Sequence, residues 1–217
     1  MRKIIGAIVT AVTVSLAASA FAQSPARTVK IGIISDLSGL YQDIGGPGTI
    51  VAAKLAVADY NKINPNLKVE ILAGDPQNKA DQAAKIATEW FDTGVDAAFD
   101  GPNSAVALAV AEVAKNKNRP FIISGAASSD LTGKKCNENL VHWTYDTWML
   151  ANGTGKAVVK TGGDSWFFIT ADYAFGHALE RDTSAVVEAN GGKVLGHVRV
   201  PLNTHDFSSA LLQAQSS

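Results

Sequence analysis

From Val29 to Ile34 the chain is an almost unbroken apolar, β-branched run, the pattern of a strand covered on both faces. Strand-like and helix-like stretches then alternate. Ile50–Tyr60 has helical spacing, with Val51, Leu55 and Ala58 on one apolar stripe. Lys68–Leu72 reads as a second strand. Lys79–Phe91 reads as a second helix, with Ala83, Ile86, Ala87, Trp90 and Phe91 turned inward. Asp96–Phe99 is a short third strand. Ser104–Lys115 is so rich in Ala and Val that it predicts a helix buried on most sides, and Phe121–Ser124 follows Pro120 as a fourth strand. This β-α-β-α-β-α-β order predicts a parallel sheet with helices on both faces and right-handed crossovers.

A second series starts after Trp143-Thr144-Tyr145-Asp146. Met149–Thr161 predicts a helix in spite of Gly153 and Gly155, and Ser165–Thr170 a strand. Leu179–Ala189 predicts a helix stopped by Asn190-Gly191-Gly192, and Lys193–Val200 another strand. Asp206 then caps a helix that begins at Phe207 and is expected to run on through Ser217. Natural domains seldom stop inside a fresh amphipathic helix. The expectation is an α/β chain with one nearly whole lobe over 28–146 and the first, incomplete part of a second over 147–217.

The N-terminus is of another kind. Arg2 and Lys3 precede the apolar stretch Ile4–Ala18, and Ala20 and Ala22 are the small residues an export peptidase needs. A signal peptide over 1–22, cleaved after Ala22, is expected. No cysteine follows that site to carry a lipid. Loss of Arg2 and Lys3 leaves 17 basic residues against 20 acidic ones, a net −3. No basic run appears, which argues against nucleic acid or an anionic membrane surface as partner. Cys136 is the only cysteine, so an internal disulfide and a cysteine metal site are excluded.

In open parallel sheets, ligands sit beyond the carboxyl ends of the strands. Four loops qualify in the first lobe: Ser38–Gly48, Gly74–Gln77, Asp100–Ser104 and Gly125–Ser129. Small and hydroxyl residues dominate them, which lets backbone amides approach a ligand closely. Ser104 stands where a helix begins. It reads either as part of a carboxylate site, with free N–H groups and the positive end of the dipole beside it, or as an ordinary N-cap. Gly45–Gly48 lacks the G-x-G-x-x-G spacing and a following Gly-Lys-Ser/Thr, so a nucleotide loop is not indicated. There is no G-x-S-x-G elbow. His142, His177, His197 and His205 have no metal spacing, and nothing brings the acid pair Asp36 and Asp43 together. No cofactor is called for. Tyr173 and Phe175 leave the carboxyl end of a second-lobe strand and can wall a ligand cleft. Trp148 is expected in the core.

Val29-Lys30-Ile31-Gly32-Ile33 running into Ser38-Gly39, the stretch Ser124–Thr132, Asp172-Tyr173-Ala174-Phe175-Gly176 and Asp206-Phe207-Ser208 together resemble the leucine/isoleucine/valine-binding type of periplasmic solute-binding protein, which serves ABC importers. The likeness covers nearly all of the chain after the signal. It implies a type I periplasmic-binding-protein fold: two Rossmann-like lobes, joined by three crossing segments, that close on a ligand. It implies a ligand carboxylate held by Ser104 and by the backbone and hydroxyl groups of Gly125, Ala126, Ala127 and Ser128. The family's threonine hydroxyl falls on Ala127, with Ser128 as its substitute. Its aromatic positions fall near Ile44, with Tyr41 close by, and on Phe175 with Tyr173 beside it. The ligand implied is a branched-chain amino acid or another small acid such as an aromatic one. The partners implied are the importer's permease subunits, the protein being a periplasmic monomer without catalysis. A sensor domain on the same fold and a secreted α/β hydrolase are the alternatives.

Overall fold

The computed structural model describes residues 28–217; the expected export signal lies outside the described residues. The first lobe consists of β1 (Thr28–Ile34), α1 (Gly46–Ile63), β2 (Lys68–Gly74), α2 (Ala80–Asp92), β3 (Ala97–Asp100), α3 (Ser104–Lys117), β4 (Phe121–Ile123) and β5 (Leu140–His142). They form a sheet of order β2-β1-β3-β4-β5 in which every neighbouring pair is parallel. The second part contains α4 (Thr147–Leu150), a π-helical turn (Ala151–Gly155), α5 (Lys156–Lys160), β6 (Ser165–Ala171), α6 (Ala174–Ala189), β7 (Lys193–Val200) and α7 (Ser208–Gln215). There β6 and β7 pair in parallel. This is the α/β arrangement that the resemblance implies, a five-stranded parallel sheet followed by a two-stranded one.

The register sets the shape of the working edge. Ile34 is level with Gly74 on one side and with Asp100 on the other, and Asp100 is level with Ile123. Four strands therefore end at one height, and their loops leave the sheet together.

One face of the sheet is sealed by α2 and α3. Ala83, Ala87, Phe91, Val106, Ala107, Val110, Ala111 and Ala114 form a single buried cluster with Ile34, Ala98, Phe121 and Ile123. Trp90 lies across β1 and β2 in a trough that two glycines provide. A Cβ on Gly32 would collide with the Trp90 ring, and one on Gly74 would stand 2.9 Å from its Cη2. The other face carries α1. Here the expected stripe is corrected: Val51, Leu55 and Ala58 are exposed. Ala52, Ala53, Ala56, Val57 and Tyr60 instead overlook Val29, Ile31, Ile33, Val69 and Ile71 across an apolar groove of about 850 Å³. This helix has apolar residues on more than one side, so spacing alone did not select the buried one, and alanines are too small to fill the gap.

Three further differences have local causes. β5 was not expected; it is a three-residue edge strand, too short for a periodic signal. The helix expected over 149–161 is continuous from Thr147 to Lys160 but passes through the π turn at Gly153 and Gly155, where backbone restraint is weakest. Trp148 is 62% exposed, because this helix gives its buried side to Thr147 and Ala151. The last helix opens at Ser208, not Phe207, with Asp206 Oδ1 accepting from Ser208 N at 2.9 Å, and spans Ser208–Gln215.

Gly32→Ala should lower the unfolding free energy of the full chain by about 1–3 kcal/mol, the usual cost of overpacking a filled core. Urea melts followed by tryptophan fluorescence measure it, and an unchanged midpoint would refute the trough.

Candidate ligand-binding site

The first loop is organised by two fully buried residues, Ser35 and Asp36. Asp36 Oδ1 accepts from Gly39 N at 2.7 Å, and Oδ2 accepts from Tyr41 N at 2.7 Å and from the Asn78 side-chain amide. A buried carboxylate needs such donors, and here they bend the chain so that Tyr41 faces the second lobe. Asp36 is thus engaged with its own loop, while Asp43 is exposed. Ser35 Oγ accepts from Gly46 N at 2.8 Å and fixes the start of α1.

The third loop turns through Asp100 and Gly101, both left-handed at φ 83° and 69°. For Asp such a conformation carries strain of about 1–3 kcal/mol. Asp100 is 3% exposed. Its Oδ1 accepts from Ser124 Oγ at 2.9 Å, and its Oδ2 has no aligned partner among the described residues. Burial raises its pKa; the nearby hydroxyls of Ser35, Ser124 and Thr49 oppose that shift only in part.

Ser104 is not the cap of α3. Asn103 takes that position, its Oδ1 accepting from Ala105 N at 2.8 Å and Val106 N at 3.3 Å. Ser104 is the first helical residue, 1% exposed, and its Oγ accepts from Ser128 N at 3.2 Å. The third and fourth loops are joined by that bond. Ala126, Ala127 and Ser128 are all buried. Ala126 O lies 2.7 Å from His142 Nε2, Ala127 O accepts from Thr147 N at 2.8 Å, and Ser128 O accepts from Leu131 N at 3.1 Å. Ser128 Oγ accepts from Asp130 N at 3.3 Å. Among the described residues, the amides of Gly125 and Ala127 donate to no acceptor. Carbonyls turned into the protein and amides left over make this loop a natural seat for an anion.

Tyr173 and Phe175 sit where β6 passes into α6, their rings 6.0 Å apart. The Tyr173 hydroxyl meets that of Tyr41 at 2.7 Å, so a first-lobe loop touches a second-lobe loop. Burial, and then the Tyr41 hydroxyl, hold the Tyr173 phenol above the usual tyrosine range, so the Tyr173 ring is neutral near pH 7. Tyr41, Phe168, Tyr173, Phe175 and Leu202 are among the walls of a cavity of about 260 Å³. The structure thus brings Ser104 to the Gly125–Ser128 loop and Tyr41 to Tyr173 and Phe175, whereas Ile44 is 78% exposed and belongs to neither group. The wider groove under α1 runs along a sheet face and reaches Ser124 and Trp143 at one end. Among the described residues no cluster of His, Cys, Asp or Glu is placed to hold a metal.

The sequence profile of the periplasmic binding protein family matches residues 28–217. The chain belongs to that family. Leu/Ile/Val-binding protein homolog 6 of Brucella abortus (strain 2308) is 28% identical over all of this chain and 54% of its own length. A periplasmic binding protein from Burkholderia mallei is 55% identical, with a TM-score of 0.84 over 87% of this chain and 51% of that one. A branched chain amino acid ABC transporter periplasmic ligand-binding protein from Burkholderia xenovorans LB400 is 35% identical, with a TM-score of 0.70 over 87% of this chain and 50% of that one. The chain spans about half the length of these relatives. The family's name makes its members periplasmic binding proteins, and the fold described above is the type I fold of that family.

The roles of Asp36 and Asp100 were missed by sequence reasoning. Their signal was a carboxylate directly after, or closing, a buried strand. Asp182, described below, gave no signal at all, since it is one charge on an amphipathic helix.

Asp100 supplies a test. An acid whose pKa is raised by folding stabilises the folded state fully below its unfolded value of 3.8, and that contribution is lost as pH rises through the raised value. Asp100→Asn, which tolerates the left-handed backbone, should therefore gain stability relative to wild type between pH 4 and pH 7. Denaturant melts across that range check it; a parallel pair of pH profiles would contradict the buried, strained acid.

Proposed function

We propose that this protein is the periplasmic solute-binding component of an ABC importer, exported by a cleaved signal over 1–22. It captures a small carboxylate-bearing solute between two lobes and delivers it unchanged, as a monomer, to the permease subunits. The ligand is a branched-chain amino acid or an aromatic acid. The observation that carries this reading is the unpaired amide of Ala127, 3% exposed, beside the buried Ser104 hydroxyl. A buried N–H without an acceptor costs about 1–3 kcal/mol, a cost that a bound carboxylate oxygen removes. The Ser104 hydroxyl already accepts from Ser128 N, so its own proton is free for the same oxygen. Tyr41, Tyr173 and Phe175 would enclose the apolar body of the solute. Their cavity, about 260 Å³, is near the lower end of the roughly 300–1,000 Å³ usual for small-molecule sites, as a small acid requires. Closure is a hinge motion at Tyr145–Thr147, and the Tyr41–Tyr173 contact forms as the lobes meet.

A thermal-shift screen of amino acids, aromatic acids and their amides on the full-length protein should show stabilisation by free acids and little by the amides, since binding to the folded state raises Tm by mass action. Ser104→Ala should weaken the best acid by about 1.5–3 kcal/mol, the worth of a hydrogen bond to a charged group. An affinity within twofold of wild type would remove Ser104 from the site, and chemical conversion of the bound acid would end the transport reading.

A further inference from the structure

Five side chains form a connected set of polar contacts between the two lobes. Asp182 Oδ2, on α6 of the second lobe, accepts from Ser129 Oγ and from Thr147 Oγ1, each at 2.6 Å. Asp182 Oδ1 accepts from Arg181 Nε at 3.0 Å. Arg181 Nη2 donates to Ser129 Oγ at 2.7 Å, and its Nη1 stands 2.9 Å from Asp130 Oδ1. The Asp182 side chain is 10% exposed and that of Asp130 15%, so the guanidinium answers two carboxylates that are mostly out of water.

The direction of each bond matters. Thr147 Oγ1 accepts from Ser129 N at 3.0 Å, so its single proton goes to Asp182. Ser129 Oγ accepts from Arg181, so its proton also goes to Asp182. One second-lobe carboxylate thereby orients both hydroxyls that pin the end of the Gly125–Ser129 loop. Thr147 N holds the same loop through Ala127 O at 2.8 Å. Withdrawing Asp182 leaves both hydroxyls without their acceptor and frees Thr147 Oγ1 to turn away from Ser129 N.

We propose that Asp182 is a positioning residue for the anion-binding loop of the opposite lobe, so that this loop takes its binding geometry only while α6 is docked against it. The inference rests on the binding reading above. It makes closure and carboxylate affinity two expressions of one equilibrium: a ligand that needs the set loop favours the docked lobe, and docking raises affinity.

The test uses the full chain, spin-labelled at Cys136 and at Leu195→Cys, both exposed and on different lobes. Pulsed EPR reads the distance between lobes, calorimetry reads the affinity for leucine and for benzoate as probes, and a thermal melt reads stability. Asp182→Ala and Thr147→Val should each shift the distances of the free protein to longer, broader values and weaken the bound probe by about tenfold. Thr147→Ser, which keeps the hydroxyl, should restore both. Ser104→Ala should weaken the probe without moving the distances. Unchanged distances in Asp182→Ala overturn the proposal, as does a Thr147→Ser variant that fails as badly as Thr147→Val. If Asp182→Ala does not fold, the two Thr147 variants decide. If neither probe binds the wild type, the assigned ligand class is at fault, and the distances still decide the role of Asp182.

Discussion

Parallel pairing of β1 with β2 on one side and β3 on the other is the constraint from which the working parts follow. Because Ile34 is level with both Gly74 and Asp100, the chain leaves the sheet at the same height each time. Ser35 and Asp36, Asp100 and Gly101, and Ser124 and Gly125 all stand at the end of a buried strand or within two residues after it. Polar groups at such positions are taken from water without the sheet ladder to satisfy them. The molecule answers with local bonds: Asp36 takes three N–H donors, Ser35 takes the first amide of α1, and Asn103 takes two amides of α3. Loops tied down in this way are rigid enough to present amides in fixed directions, which is what recognition of a small acid requires.

The same edge meets the second lobe at two places of different character. Tyr41 and Tyr173 touch through a single hydroxyl pair, a contact of modest strength that solvent can replace. Ser129, Thr147, Asp130, Arg181 and Asp182 meet through charged, largely buried groups. Breaking one partner of such a set leaves an uncompensated charge and costs more than the pair is worth when intact. The first contact is easily exchanged for water; the second is the stronger tie, holding α6 to the loop while the lobes are docked.

Much of the first lobe was legible because its helices and strands carry clear periods. α2 shows the inward set Ala83, Ile86, Ala87, Trp90 and Phe91 as its spacing indicates, and α3 is buried on most sides as its Ala and Val content indicates. α1 was misjudged because apolar residues stand on several of its sides, so the face that packs is decided by the sheet, not by the helix. β5 escaped because three residues give no period. At the site, small residues after strand ends pointed to the Gly125–Ser128 loop and to Ser104. The capping role went to Asn103 because, one residue earlier, its amide oxygen reaches two N–H groups of α3. Bonds between lobes, such as that from Ser129 to Asp182, depend on side chains 53 positions apart, and no local pattern encodes them.

The carbonyls of Ala126, Ala127 and Ser128 are all spoken for inside the protein. A backbone segment in that condition is lopsided: its spare amides can give protons outward, while its oxygens already accept bonds from inside the protein. Solutes that present only N–H or ammonium groups find fewer partners there than a carboxylate does, however well their shape fits. Discrimination by electrical sense is therefore built into the main chain itself, and exchanging side chains along Gly125–Ser128 would alter how large a guest is admitted while leaving its required polarity as it is.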